Sequence, residues 1–233
     1  MDNTASLMTS PPETPLGHVR AAIAKTARIS RRNAGDITLI AVSKTHPAER
    51  IVPLLEEGQR VFGENRVQEA QSKWPGLRER YPDAELHLIG QLQSNKAEEA
   101  VAAFDLIHSL DRPSLLTALA KAMDKTGKRV PCFIQVNIGD EGQKGGCAIA
   151  GLPNFIAKVR AANIPVAGLM CIPPSDKEPA PFFAFMDKLA RDSGLDGPEA
   201  GLSMGMSGDY ETAIMLGATH IRVGTALFGA RGT

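Results

Sequence analysis

Lys44 stands directly after an apolar run, residues 37–42, within Ser43-Lys44-Thr45-His46-Pro47. A lysine at a strand end is ordinarily a solvated surface charge. Aimed into an apolar mouth and desolvated, it loses its proton readily and its amine can form a Schiff base. Near the other end of the chain two segments combine hydroxyls with small residues: Ser203-Met204-Gly205-Met206-Ser207-Gly208-Asp209, and Gly224-Thr225 after residues 220–223. Backbone N–H groups and hydroxyls in such loops hold a phosphate, although Ser207 also suits a helix N-cap and the glycines suit turns. In Gly63-Glu64-Asn65-Arg66-Val67-Gln68, Asn65 reads equally as a ligand contact or as an N-cap whose capping box Gln68 completes. His87 lies inside an apolar run and is expected to be a satisfied interior residue rather than a base. Lys96 opens a helical pattern, where a lysine is electrostatically disfavoured, so it is a candidate for an anion. Four glycines within residues 139–146 predict a mobile loop or lid, or simply a flexible connection.

These residues fall at the ends of repeating elements. Short apolar runs recur at 37–42, 60–62, 86–89, 104–107, 130–138, 165–170, 201–204 and 220–223. Together they read as continuous apolar segments more than as alternation, as in strands covered on both faces of a parallel sheet. Helical patterns lie between them, at 47–57, 65–80, 94–103, 113–126, 153–162, 179–192 and 208–216. Pro53 should kink or shorten the first. In the fourth, Leu115, Leu116, Leu119 and Met123 form the apolar face, Asp111 is the expected N-cap and Gly127 the stop. Eight strands alternating with helices predict a single-domain (β/α)8 TIM barrel in the α/β class, with its site at the strand C-terminal ends. Only ten residues follow the eighth run. A further helix at 16–32, with Thr14-Pro15 as cap and first turn, is expected to cover that gap through Val19 and Ile23. Residues 1–15 read as a loose leader and 16–233 as the barrel.

Composition narrows the function classes. The 233 residues carry 26 basic and 26 acidic side chains, which removes the electrostatic case for a general nucleic-acid or anionic-membrane binder. Cys132, Cys147 and Cys171 have neither metal-ligand spacing nor a disulfide pattern. No metal site is expected, and a reducing, cytoplasmic setting is. Residues 1–20 lack the features of a secretory signal, and no stretch reaches the ~18 apolar residues of a membrane helix.

Several motifs together resemble one family. Ala41-Val42-Ser43-Lys44, Phe62-Gly63-Glu64-Asn65, His87-Leu88-Ile89-Gly90 with Asn95-Lys96, Ser203-Met204-Gly205-Met206-Ser207 with Asp209, and Arg222-x-Gly224 with Phe228-Gly229 are similar to the pyridoxal phosphate homeostasis protein family, also known as proline synthetase co-transcribed homologues. The resemblance runs from residue 16 to 231. Cys171 stands where a threonine is common, and the leader is longer than usual. The resemblance implies a barrel like the alanine racemase N-terminal domain, with pyridoxal 5'-phosphate (PLP) held as an internal aldimine on Lys44. It assigns Ser207, Gly224 and Thr225 to the phosphate, Arg222 to the pyridine nitrogen, and Asn65 and Met170 to the ring. It implies a carrier that buffers intracellular PLP with little turnover, as a monomer or weak homodimer, with apo PLP-dependent enzymes as possible recipients.

Two other functions stay open at this point. One is a PLP-dependent amino-acid racemase, which needs a proton donor on each face of the cofactor. Racemases of this architecture draw one donor from a second, β-rich domain, and the short tail after the eighth strand leads us to expect none. The other is a lyase using Lys44 without cofactor, which leaves the Ser207, Arg222 and Gly224 set to serve a substrate phosphate.

Overall fold

The computed structural model describes residues 13–197 and 200–229, so most of the expected leader lies outside the described residues. Eight parallel strands close into a barrel in chain order: β1 (Thr38–Val42), β2 (Val61–Glu64), β3 (Glu85–Leu88), β4 (Leu106–Leu110), β5 (Cys132–Gln135), β6 (Val166–Met170), β7 (Gly201–Met206) and β8 (His220–Val223). The sheet closes where β1 pairs with β8, Ile40 opposite Arg222. At Gly168 the backbone has φ +134°, and a Cβ there would lie 1.9 Å from the Gly201 carbonyl oxygen. Only glycine permits that approach of β6 to β7.

Helix α1 (Pro15–Ile29) precedes the barrel. The others follow their strands: α2 (Ala48–Glu56), α3 (Val67–Arg80), α4 (Ala97–Ala103), α5 (Pro113–Thr126), α6 (Leu152–Ala161), α7 (Ala180–Asp192), α8 (Tyr210–Met215) and α9 (Thr225–Phe228). α1 starts as expected, with Pro15 in its first turn and the Thr14 hydroxyl accepting from Gly17 N–H at 3.1 Å. Val19 and Ile23 are buried, and α1 packs on α8 and the four-residue α9, covering the gap after β8. Arg32, just beyond α1, donates to the Ile214 and Ala218 carbonyls at 2.8 and 2.7 Å. Pro53 sits inside α2, which remains a nine-residue helix.

The barrel interior departs from the aliphatic layers usual in this fold. Rings from four strands meet inside it: His87 (β3), His108 (β4), Phe133 (β5) and His220 (β8). His108 stacks on Phe133 with centroids 4.6 Å apart, and His220 meets Phe133 edge-on at 5.0 Å. Burial holds the His108 pKa well below the ordinary value and that of His220 down at about 3. Both rings are therefore neutral in the folded protein, whereas the unfolded chain protonates them below about pH 6.5. The unfolded state binds the extra protons, so stability falls as pH drops from about 6.5 toward 3. His220 contributes a slope of at most about 1.4 kcal/mol per pH unit, and His108 acts in the same direction. Denaturant unfolding between pH 6 and 5 is expected to show this fall in stability, and His220→Gln to make it shallower. An unchanged slope in His220→Gln would contradict the neutral-core assignment.

Candidate functional site

β1 ends at Val42, and the chain then turns sharply. Thr45 has φ +65°, a left-handed conformation that a threonine adopts only when its surroundings hold it there. α3 supplies the hold. Lys73 Nζ donates to the Ser43 carbonyl at 2.9 Å and to the His46 carbonyl at 2.8 Å, bracketing Lys44. It also pairs with Glu64 at 2.8 Å and Glu69 at 3.0 Å, and Glu69 accepts from Thr45 N–H. Glu64, fully buried at the end of β2, accepts from Ser43 Oγ at 2.6 Å and Trp74 Nε1 at 3.2 Å. Burial pushes its pKa up, and Lys73 opposes the shift. On the other side, the His46 ring stacks on Phe228 at 4.5 Å. Neither Glu64 nor Lys73 stands out in the sequence as a site residue.

Across the mouth, the loops after β7 and β8 are joined where Gly224 N–H donates to Ser207 Oγ at 3.2 Å. Asp209 secures the first of them by accepting from Met206 N–H at 2.5 Å. Arg222 is buried on β8, donating from NH1 to Ser203 Oγ at 2.6 Å and from NH2 to the Cys171 carbonyl at 2.9 Å. Cys171 thus serves through its main chain, so its departure from the usual threonine leaves this bond intact. Its thiol is pushed up to about 12 by burial and offers no thiolate.

The third wall is made of amides. Gly90 lies so close to Asn65 that a Cβ would sit 2.3 Å from the Asn65 carbonyl oxygen. Gln91 Nε2 donates to Gln135 Oε1 at 2.6 Å, and Gln135 Nε2 to the Gly145 carbonyl at 3.1 Å. The 139–146 loop is tied down at several points. Asn137 bonds both backbone groups of Glu141, Lys144 donates to the Pro173 carbonyl at 3.2 Å and pairs with Glu141, and Gly146 N–H reaches Asp111 at 3.2 Å.

These walls enclose a cavity of about 600 Å³. Lys44, Asn65, Ser207, Arg222, Gly224 and Thr225 all line it. Met170 does not: it is fully buried at the end of β6, and Ile172, two residues on, reaches the cavity instead. Asn65 is not an N-cap, because α3 starts one residue later, behind Arg66 and without a side-chain cap. Asp111 is likewise not the cap of α5, which is Arg112; its carboxylate turns to Arg112 and the 139–146 loop. Lys96 lies outside the cavity, paired with Glu99 at 2.9 Å. Among the described residues the lining brings Lys44, Lys144 and Arg222 and no carboxylate. A donor-rich pocket with positive charge and lysine amines fits an anionic carbonyl compound, so the residues present suit PLP. A second cavity of about 840 Å³ opens at the opposite end, but its Arg32 is already committed to main-chain carbonyls.

A family model described as the alanine racemase N-terminal domain matches residues 19–232. The pyridoxal phosphate homeostasis protein of Escherichia coli (strain K12) is 39% identical over 228 residues, covering 93% of this chain and 95% of the relative. That of Aquifex aeolicus (strain VF5) is 39% identical over 224 residues, covering 93% and 96%. PipY of Synechococcus elongatus PCC7942, solved with PLP bound, has a TM-score of 0.78 at 38% identity, over 89% of this chain and 100% of that one. Near-complete coverage in both directions, on a barrel whose mouth suits the same cofactor, leads to one conclusion: the chain belongs to the pyridoxal phosphate homeostasis protein family.

Proposed function

We propose that this protein binds PLP at the barrel mouth, attached covalently to Lys44, and serves PLP homeostasis as a carrier with little turnover of its own. The observation that carries this reading is the mouth cavity itself. Lys44 lines it together with the linked Ser207–Gly224 loops, and no carboxylate among the described residues repels an anion there. The cofactor-bound relative supports it. PLP supplies an aldehyde, which condenses with a neutral primary amine and releases water.

This chain's residues would divide the remaining work. Ser207, Gly224 and Thr225 hold the phosphate with hydroxyl and N–H donors. Charge-assisted bonds of this kind contribute ~1.5–3 kcal/mol each. Ser207→Ala combined with Thr225→Val is therefore expected to weaken PLP at least roughly tenfold per lost bond while barely changing phosphate-free pyridoxal. Equal losses for the two ligands would refute the phosphate assignment. Arg222 faces the ring nitrogen. A guanidinium donates and cannot accept, so it favours an unprotonated nitrogen and a weak electron sink.

A racemase must protonate from both faces. Besides Lys44, the titratable side chains lining the cavity among the described residues are Lys144 and Arg222. Lys144 is engaged by Glu141 and the Pro173 carbonyl, which favours a holder of PLP over a racemase. In the cell, cytoplasmic apo PLP-dependent enzymes are the natural recipients. L-alanine in deuterated water with the PLP-loaded protein is the test. Exchange of the α-hydrogen is expected near background, and rates of ~1–1000 per second would establish an enzyme instead.

A further inference from the structure

We infer that Ser203, His108 and His87 form a one-way hydrogen-bond chain through the barrel core that holds Arg222 for the cofactor, with His108 as the positioning residue. This inference rests on the proposed PLP site, where Arg222 meets the ring nitrogen.

The direction of the chain follows from its first member. Arginine has donors only, so Arg222 NH1 must donate to Ser203 Oγ, at 2.6 Å. Ser203 Oγ has a second lone pair, but a buried hydroxyl proton left unpaired is costly, and the polar partner remaining for it among the described residues is His108 Nδ1, at 2.8 Å. His108 Nδ1 is therefore the unprotonated nitrogen, and in a neutral ring the proton is on Nε2. That nitrogen lies 3.1 Å from His87 Nδ1, which must accept. The other ring nitrogen of His87, Nε2, lies 3.7 Å from Glu85 at the base of the barrel. The assignment follows from pairing the buried Ser203 hydroxyl proton.

The surroundings hold the members of the chain in place. Ser203 and His108 are fully buried and His87 nearly so. His108 is clamped flat on Phe133, so its ring cannot swing to another partner. The groups facing it are His87, His220, Arg222 and Phe133, none of which is an acid. The second guanidinium arm is fixed on the Cys171 carbonyl. These two bonds do not exhaust the N–H donors of Arg222, which also lines the mouth cavity. The chain therefore fixes where the remaining donors sit, from a histidine that does not line the cavity.

Two paired substitutions and one spectrum test this. Nitrogen-15 spectra of the cofactor-free protein should show His108 neutral, with its proton on Nε2 and Nδ1 accepting a hydrogen bond. A proton on Nδ1 would overturn the chain whatever the protein binds. In PLP titrations followed by absorbance, Ser203→Ala is expected to lower affinity on the order of tenfold and to shift the bound-cofactor spectrum, while Ser203→Thr retains both. His108→Asn keeps an acceptor near the Nδ1 position and should behave like wild type, whereas His108→Leu should behave like Ser203→Ala. If His108→Leu does not fold, the Ser203 pair decides alone. Wild-type affinity and spectrum in Ser203→Ala would refute the positioning role. Absence of PLP binding in the wild type would instead refute the site reading, leaving the tautomer result to stand or fall separately.

Discussion

Lys44→Ala protein titrated with PLP is expected to show the spectrum of the unlinked cofactor throughout, and to lose bound PLP on gel filtration faster than wild type. Lys44 is the lysine at the end of β1, on a turn that α3 holds rigidly, facing the linked loops after β7 and β8 across one cavity. Phosphate contacts remain in the variant, so binding should weaken rather than vanish. Adding a small primary amine should not restore the spectrum of the linked form to wild-type intensity, because a free amine lacks the effective concentration of a tethered one. A wild-type spectrum in Lys44→Ala would remove Lys44 from the site.

The second large effect is expected from Lys73→Met. Lys73 and Glu64 form a buried ion pair, 9% and 0% exposed at their side chains. Deleting one partner of such a pair costs about 3–5 kcal/mol, because the other charge is left uncompensated. The Ser43 and His46 carbonyls lose their shared donor at the same time. The Glu64 carboxyl is already raised by burial, so without Lys73 it escapes by taking a proton. A carboxyl with a raised folded pKa is favourable at low pH and loses that advantage as pH rises through the folded value. The destabilisation in Lys73→Met should therefore grow between pH 5 and 8. Adding Glu64→Gln, which keeps an acceptor for Ser43 and Trp74, should recover part of the loss. Chemical denaturation measures all three proteins. A loss below about 1 kcal/mol in the single variant would show that the pair does not secure the Lys44 turn.

The barrel was legible because its strands are buried on both sides and read as continuous apolar runs. Each of the eight has its strand, and the end of β5 shows the limit of that signal. Residues 130–138 are mostly apolar, interrupted by Gln135 and Asn137, and the regular strand ends at Gln135, where Val136 bridges to Cys147 and the chain turns into the tethered loop. Local capping signals misled by one residue. Asp111-Arg112-Pro113 reads as a cap ahead of a proline, but the helix begins behind Arg112, which frees Asp111 to anchor Gly146. Asn65 behaves alike, released from capping into the cavity wall.

What the sequence could not display is long-range pairing of polar groups. His87 is legible as an interior histidine, but its partners come from other strands, and His108 meets Ser203 across 95 residues. Lys73 reads as an ordinary exposed-face lysine of α3 until the fold brings it under the Ser43–His46 turn. The tethering of the glycine-rich 139–146 loop depends likewise on Asp111, Gln135 and Pro173.

Borohydride reduction of the wild-type protein loaded with PLP, followed by proteolysis and mass mapping, addresses the central claim most directly. The expected result is a single reduced phosphopyridoxyl adduct on the peptide carrying Lys44. An adduct mapped instead to Lys96 or Lys144, or no adduct at all under conditions where PLP stays bound, would contradict it.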